Sequence, residues 1–337
     1  MPPERVSAVL KTVPAAAAVL VVERPSAELV RVALHAGVDD AVELSSVGLH
    51  LANTVSELAD RLEREFADAA VGADDLPGAS SPRRGLVTSV FSPKGGVGKS
   101  VISVNLAAAL ARRIGEPVVI LDLDLQFGDV AVMLRLQPLH TFRDAVSAGD
   151  LLDQALLRSF LAWHEKSGVY VLAAPTSPEV DQVDPVAMLR VLGLLRDMFA
   201  YIVVDTPPHL SEVVLQAVAA SDTVAFVVAM DVPSVKNASR GLRAFELLQL
   251  PLGKVLLLLN RAYSRVHLTD RDIERVLEMR VDVAFPSEVI VPQSVNQGSP
   301  ALLEHPRSRF SVQIDHLAEL VLVRAEEALA PAVALKQ

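Results

Sequence analysis

The chain has 337 residues, 51% of them hydrophobic and 21% charged, and no cysteine. That composition suits a large buried core, and the missing cysteines exclude disulfides and Cys-ligated metal centres. A net charge of −10 argues against a general nucleic-acid coat and leaves only a local basic patch open; the cytoplasm is the natural compartment.

The first apolar run, AAAAVLVV (residues 15–22), is far shorter than the roughly 20 residues that cross a bilayer. Charged VVERPSAELV follows it with no small-residue cleavage pattern, so it reads as a buried strand and not as a signal peptide. Ser26 can cap a helix that ends at Gly37. DDAVELS reads as a second strand. Leu51, Val55, Leu58, Leu62 and Phe66 then form the stripe of an amphipathic helix. GADDLPGASSPRRG, Gly72 to Gly85, is rich in turn formers and reads as a linker. The expected layout is a small α/β segment over 1–70, a linker over 71–85 and a main domain over 86–337.

From Leu86 onward, seven strand-length apolar runs alternate with helical stretches: LVTSVF, PVVILDLD, VYVLAAP, YIVVDTP, TVAFVVAM, KVLLLLN and VDVAFP. Continuous apolar strands are buried on both faces. The expected fold is therefore α/β, a doubly wound, mostly parallel sheet covered by helices.

FSPKGGVGKSV, Phe91 to Val101, joins the first of these strands to a helix. Such a loop aims several backbone N–H groups at one point, and the helix dipole adds positive potential, so it binds phosphate. Gly95, Gly96 and Gly98 let the backbone approach closely. Lys99 reaches the β- and γ-phosphates, and Ser100 offers a hydroxyl to Mg²⁺. Val97 and Val101 complete the loop and the first helical turn. Pro93 stands where the ordinary motif has its first glycine, and a second lysine, Lys94, follows it.

KGGVGKS resembles the signature of the MinD/ParA ATPases, a deviant phosphate loop with a leading lysine. The resemblance implies ATP and Mg²⁺ as ligands, and a homodimer in which Lys94 crosses to the partner's nucleotide phosphates. Asp205, ending the strand YIVVD, is the expected Walker B aspartate. LDLDLQFGD supplies Asp122, Asp124 and Asp129. By resemblance Asp124 positions the attacking water, while Asp122 joins Ser100 and Asp205 around the metal. Asn260 and Arg261, ending LLLLNR, and Pro286 and Ser287, in the later proline loop, are the family's expected residues around the adenine. The histidines show no metal-ligand spacing, and His164 and His209 read as surface or loop residues.

LDLDLQFGDVAVMLRLQPLHTFRDAV and HEKSGVYVLAAPTSPEVDQV resemble the CpaE/TadZ branch, which serves assembly of Flp-type (tight-adherence) pili; LQFGDVA is the most specific element. That resemblance covers roughly 86–310. AVLVVERPSAELVRVALHAGVDDAVELSS resembles the later part of a receiver domain, as this branch carries ahead of its ATPase. Only about 18 residues precede VLVV, Leu44-Ser45-Ser46 replaces the usual Lys-Pro, and no phosphoacceptor aspartate can be placed. A truncated pseudo-receiver is expected.

The implied function is a slow ATPase whose ATP-dependent dimerisation localises a pilus secretion apparatus, at a cell pole or at the membrane-associated complex. The C-terminal HLAELVLVRAEEALAPAVALKQ is too acidic for a lipid-gripping helix and reads as a helix packed on the core, so membrane placement would need partner proteins. Lys236, Arg240 and Arg243 fall on one helical face, which reads as solvated, so DNA is not the expected partner. The alternatives are a ParA-like DNA-partitioning or MinD-like positioning ATPase, and a nucleotide-binding scaffold without turnover.

Overall fold

The computed structural model describes residues 19–22, 40–43, 84–175, 183–262 and 268–329. Two units divide the chain, Met1–Asp75 and Leu76–Gln337. In the first, β1 (Val19–Val22) and β2 (Asp40–Glu43) pair in parallel, Val19 opposite Asp40 and Val22 opposite Glu43. Both strands were expected. Val21 is 40% exposed, however, so β1 is not the wholly buried strand that its apolar run implies. A two-stranded sheet gives its strands far fewer neighbours than a wide one. The helices expected over 26–37 and 51–66, and most of the expected linker, lie outside the described residues.

The second unit is built on eight strands: β3 (Leu86–Phe91), β4 (Val118–Asp122), β5 (Ala162–His164), β6 (Val169–Leu172), β7 (Tyr201–Asp205), β8 (Thr223–Ala229), β9 (Val255–Ala262) and β10 (Val283–Pro286). Their order is β10-β9-β8-β3-β7-β4-β6-β5. All pair in parallel except β5, which runs antiparallel to β6. The seven expected strands are all present. The eighth, β5, is the three-residue edge AWH, too short to show a period. It corrects the reading of His164, which is buried, with Nδ1 2.7 Å from Ser167 Oγ. Burial, and then the nearby Lys166 charge, lower its pKa.

The helices of this unit are α1 (Lys99–Ile114), α2 (Val130–Met133), α3 (Phe142–Ser147), α4 (Gln154–Ser159), α5 (Pro185–Met198), α6 (Glu212–Ala220), α7 (Val232–Leu247), α8 (Asp270–Leu277), α9 (Ile290–Gln297), α10 (Ala301–Glu304) and α11 (Arg309–Leu329). They cover both faces of the sheet. On β4, Val118 and Ile120 join the core under α1, α10 and α11, while Val119 and Leu121 join the core under α4 and α5. Phe226, Phe245 and Ile273 fill a third cluster under α7 and α8. The alanines of α1 (Ala107, Ala108, Ala109, Ala111) are all buried, which lets that helix lie close against β4 and β7. On α11, Phe310, Ile314, Leu317, Ala318 and Val321 are buried, so this helix packs on the core as far as Val321; the rest of the C-terminal segment expected to pack there lies largely outside the described residues. Among the described residues no helix is long and apolar enough to cross a membrane.

The strand starts share a tie. Asp222, just before β8, accepts the Val87 N–H at the start of β3 (2.8 Å). Asp282, just before β10, accepts the Leu257 N–H early in β9 (2.7 Å). These ties hold the amino ends of the strands and leave their carboxyl ends, where ligands sit in sheets of this kind, to the loops.

Candidate nucleotide site

The loop from Ser92 to Gly98 leaves β3 at the centre of the sheet. Gly96 (φ +71°) and Gly98 (φ +97°) both take the left-handed conformation that glycine adopts at no steric cost. Gly98 has a second reason to be glycine: a Cβ there would lie 2.3 Å from Asn260 Nδ2. It caps α1 with no side-chain hydrogen bond, and no acidic residue stands in the first turn. The first N–H groups of α1 are therefore left for an anion.

Beneath the loop, β7 lies between β3 and β4, so Asp205 sits in register with Val90 on one side and Asp122 on the other. Both carboxylates are fully buried. Asp205 Oδ1 accepts from Ser103 Oγ at 2.8 Å, whereas its Oδ2 is buried and, among the described residues, has no partner at hydrogen-bonding geometry. Burial raises its pKa to about 6, against the opposing pull of the Ser100 and Ser103 hydroxyls and the Lys99 charge. Asp122 is pushed well above the usual carboxylate range by burial and by the Asp205 charge. Its own oxygens accept the N–H groups of Asp124 (3.0 Å) and Val130 (3.4 Å), so it also orders the loop after β4. Lys99 is 7% exposed; burial lowers its pKa, and Asp205 and Asp124 pull it back up. An electron-poor phosphate cradle thus stands over two carboxylates short of positive charge.

The fit to Mg²⁺ rests on that orphaned Asp205 oxygen. Among the described residues no group of three or more His, Cys, Asp or Glu side chains could hold a metal unaided. A lone carboxylate oxygen with Ser100 nearby suits a cation that keeps waters and takes its other ligands from phosphates.

The loop after β4 turns on Asp124, whose Oδ1 accepts the Phe127 N–H at 3.2 Å. Gly128 lets this loop fold onto the site: a Cβ there would lie 2.6 Å from Asp122 Oδ2 and 2.3 Å from the Ala174 Cβ. Asp129 has its pKa raised by burial and by Asp124.

Lys94 pairs with Asp231, just beyond the end of β8. Its ammonium lies 2.8 and 3.0 Å from the two oxygens of Asp231, the residue that caps α7 through the Ser234 N–H. Burial alone would raise the Asp231 pKa, but Lys94 and Ser234 more than offset it and hold it below its usual value. Asn260 also reaches the loop, donating from Nδ2 to the Val97 carbonyl at 2.6 Å, while its Oδ1 accepts the Arg261 N–H. Arg261, with φ +56°, donates to the Gly96 carbonyl. Pro286 ends β10 next to β9, and Ser287 follows it, exposed.

The structure therefore gathers Lys94, Lys99, Ser100, Asp122, Asp124, Asp205, Asn260 and Arg261 at one end of the sheet, with Pro286 and Ser287 on its β10 flank. Sequence reading missed Asp231, Ser103 and Gly128. Asp231 has a helix-start signature, with Pro233 two residues on, but nothing in it names a partner 137 residues earlier.

A family model for the CobQ/CobB/MinD/ParA nucleotide binding domain matches residues 88–300. The chain belongs to the CobQ/CobB/MinD/ParA nucleotide-binding family. All the site residues named above fall inside the matched span. A septum site-determining protein MinD of Thermotoga maritima is 27% identical over 244 residues, 70% of this chain and 88% of that protein. The crystal structure of a ParA family ATPase from Chlorobium tepidum superposes with a TM-score of 0.66 at 24% identity, over 70% of this chain and 98% of that one. A Pyrococcus horikoshii MinD complexed with Mg-ADP does so with a TM-score of 0.59 at 21% identity, over 70% and 95%. These two likenesses establish the MinD/ParA fold for the eight-stranded sheet and its helices.

Proposed function

We propose that this chain binds ATP with Mg²⁺, hydrolyses it slowly, and dimerises across the nucleotide, and that the dimer localises the secretion apparatus of an Flp-type pilus. The observation that carries the dimer is Lys94. The ammonium of this front-of-loop lysine is held by Asp231 in the single chain; in this reading it leaves that carboxylate for the phosphates bound by a second copy. Supplied in trans, its charge would stabilise the developing charge of phosphoryl transfer.

In this reading the N–H groups of residues 95–101 hold the phosphates and Lys99 meets the β- and γ-oxygens. Ser100 and the free Asp205 oxygen would hold Mg²⁺, with Asp122 beside them. The metal would neutralise charge on the phosphates. Asp124 orients the attacking water, placed by the turn that Gly128 permits. Asn260, Arg261, Pro286 and Ser287 line the base side, where Asn260 trades its bond to Val97 for the adenine edge.

The pilus role, with pilus machinery proteins as partners and a cytoplasmic place at that complex, rests on the resemblance of LQFGDVA to the CpaE/TadZ branch. A MinD-like positioning ATPase is the second reading, favoured by the likeness to the Thermotoga MinD. Both share the switch, and one experiment tests it. The mass in solution is measured by light scattering without nucleotide, with ADP, and with a non-hydrolysable ATP analogue. Dimer only with the analogue, lost in Lys94→Ala while analogue binding persists, supports the switch. A dimer in every state would replace it with a constitutive scaffold.

A further inference from the structure

The region behind the phosphate loop holds a small cavity of about 10 Å³ between α1, α2 and α9, with Asn105, Met133, Ser294 and Ser299 in its lining. Two of its walls are polar and unsatisfied. Among the described residues, Ser294 Oγ (residue 1% exposed) and Ser299 Oγ (4% exposed) find no hydrogen-bond partner. A buried hydroxyl without a partner carries the full desolvation cost of that group, and two in one cavity are out of keeping with a well-packed core. Asn105 lies on the same wall. Its Nδ2 donates to Val101 O and its Oδ1 accepts the Leu302 N–H, which leaves a second amide N–H.

We propose that this cavity binds one structural water, which bridges the Ser294 and Ser299 hydroxyls and accepts from Asn105. The room matches one water, and three polar groups on its wall match the number of bonds that buried waters make. Dry cavities of proteins are lined by apolar groups alone, whereas the mostly apolar lining here is interrupted by Ser294, Ser299 and Asn105. The water joins α1 to α9 and the turn after it, and Met133 brings α2 to the same cavity. α1 carries the phosphate loop, α2 follows the Asp124 loop, and α9 follows Pro286 and Ser287. Beside the cavity, Arg135 donates to Asn296 O, and its side chain covers Gly298 so closely that a Cβ there would lie 2.1 Å from Arg135 Cγ. The junction is thus tied by a side chain outside and by a water inside.

Two measurements test this. A crystal structure of the full chain at better than 2 Å should show a solvent peak at hydrogen-bonding distance from both hydroxyls; an empty cavity, or hydroxyls turned onto carbonyls, would overturn the proposal. Urea unfolding of the wild type, Ser294→Ala, Ser299→Ala and the double variant gives the second. A shared water makes the two changes non-additive, the double variant losing no more midpoint than the worse single one. Midpoint losses that simply add would show two independent hydroxyls and sink the bridge.

Discussion

Asp205 is a fully buried carboxylate whose burial the Ser100 and Ser103 hydroxyls and the Lys99 charge offset only in part. Its pKa stands near 6 in the folded chain against about 3.9 when unfolded. Between those values the folded state holds more protons, so the stability from this group is greatest below pH 4 and is lost as pH rises through 6. A shift of two units corresponds to about 3 kcal/mol at pH 7. Asp205→Asn should therefore raise the urea midpoint of the nucleotide-free protein at pH 7, and the gain should shrink towards pH 4. Equal midpoints at pH 7 would show that the charge is balanced by something else. The same variant loses the free oxygen argued to hold Mg²⁺, so it should be more stable and yet inactive in phosphate release. Lys94 and Asp231 pose the opposite case. Their side chains are 33% and 40% exposed, where ion pairs contribute little to folding. Asp231→Ser keeps a helix cap and removes the anion that retains Lys94. Light scattering should then find dimers at lower analogue concentration than in wild type, with the unfolding free energy changed by less than about 0.5 kcal/mol. A weaker dimer would mean that Asp231 acts in the dimer itself.

At the scale of elements, the end of α6 shows what the sequence displays and what it hides. Lys254 Nζ donates to the carbonyls of Val218, Ala219 and Ser221, and Arg196 donates to that of Ala220 and pairs with Asp222. Two cations from distant segments thus satisfy the carbonyls that a helix end leaves open. Lys254→Met keeps the aliphatic stem and removes the donors, and should cost about 1–3 kcal/mol in urea unfolding; no loss would mean that water replaces the ammonium freely. Nothing in the sequence near Lys254 announces this, because the partners lie 33 to 36 residues away. The phosphate loop is legible for the converse reason. Its chemistry is local: strand, glycines, lysine, serine and helix follow one another from Leu86 to Ile114. The seven long strands were legible because burial on both faces leaves an unbroken apolar run. β5 was not, since three residues at an edge carry no such run, and His164 went astray with it. Gly128 lies between these cases. LQFGDVA drew notice as a resemblance, but its physical reason, the approach to Asp122 and Ala174, needs the fold. Gly128→Ala should displace that loop, costing about 1–3 kcal/mol as an overpacked contact does.

Across the whole molecule, charge separates the partners that this protein can take. The chain carries −10 overall, yet Lys236, Arg240 and Arg243 stand exposed on one face of α7. A surface of three cations can release about three counterions from duplex DNA, which gives a log–log salt slope of about −3 per protomer. A slope that small, working against the repulsion of a net anion, does not sustain sequence-independent binding at physiological salt. Fluorescence anisotropy with duplex DNA, run with the ATP analogue from 50 to 200 mM salt, should therefore show binding only at the low end, if at all. Tight binding at 200 mM with a slope steeper than about −6 would mean that a larger basic surface assembles in the dimer. That would move the DNA-partitioning reading ahead of the pilus one. A flat, weak isotherm would favour α7 as a face for an acidic protein partner, next to the helix cap whose Asp231 holds Lys94.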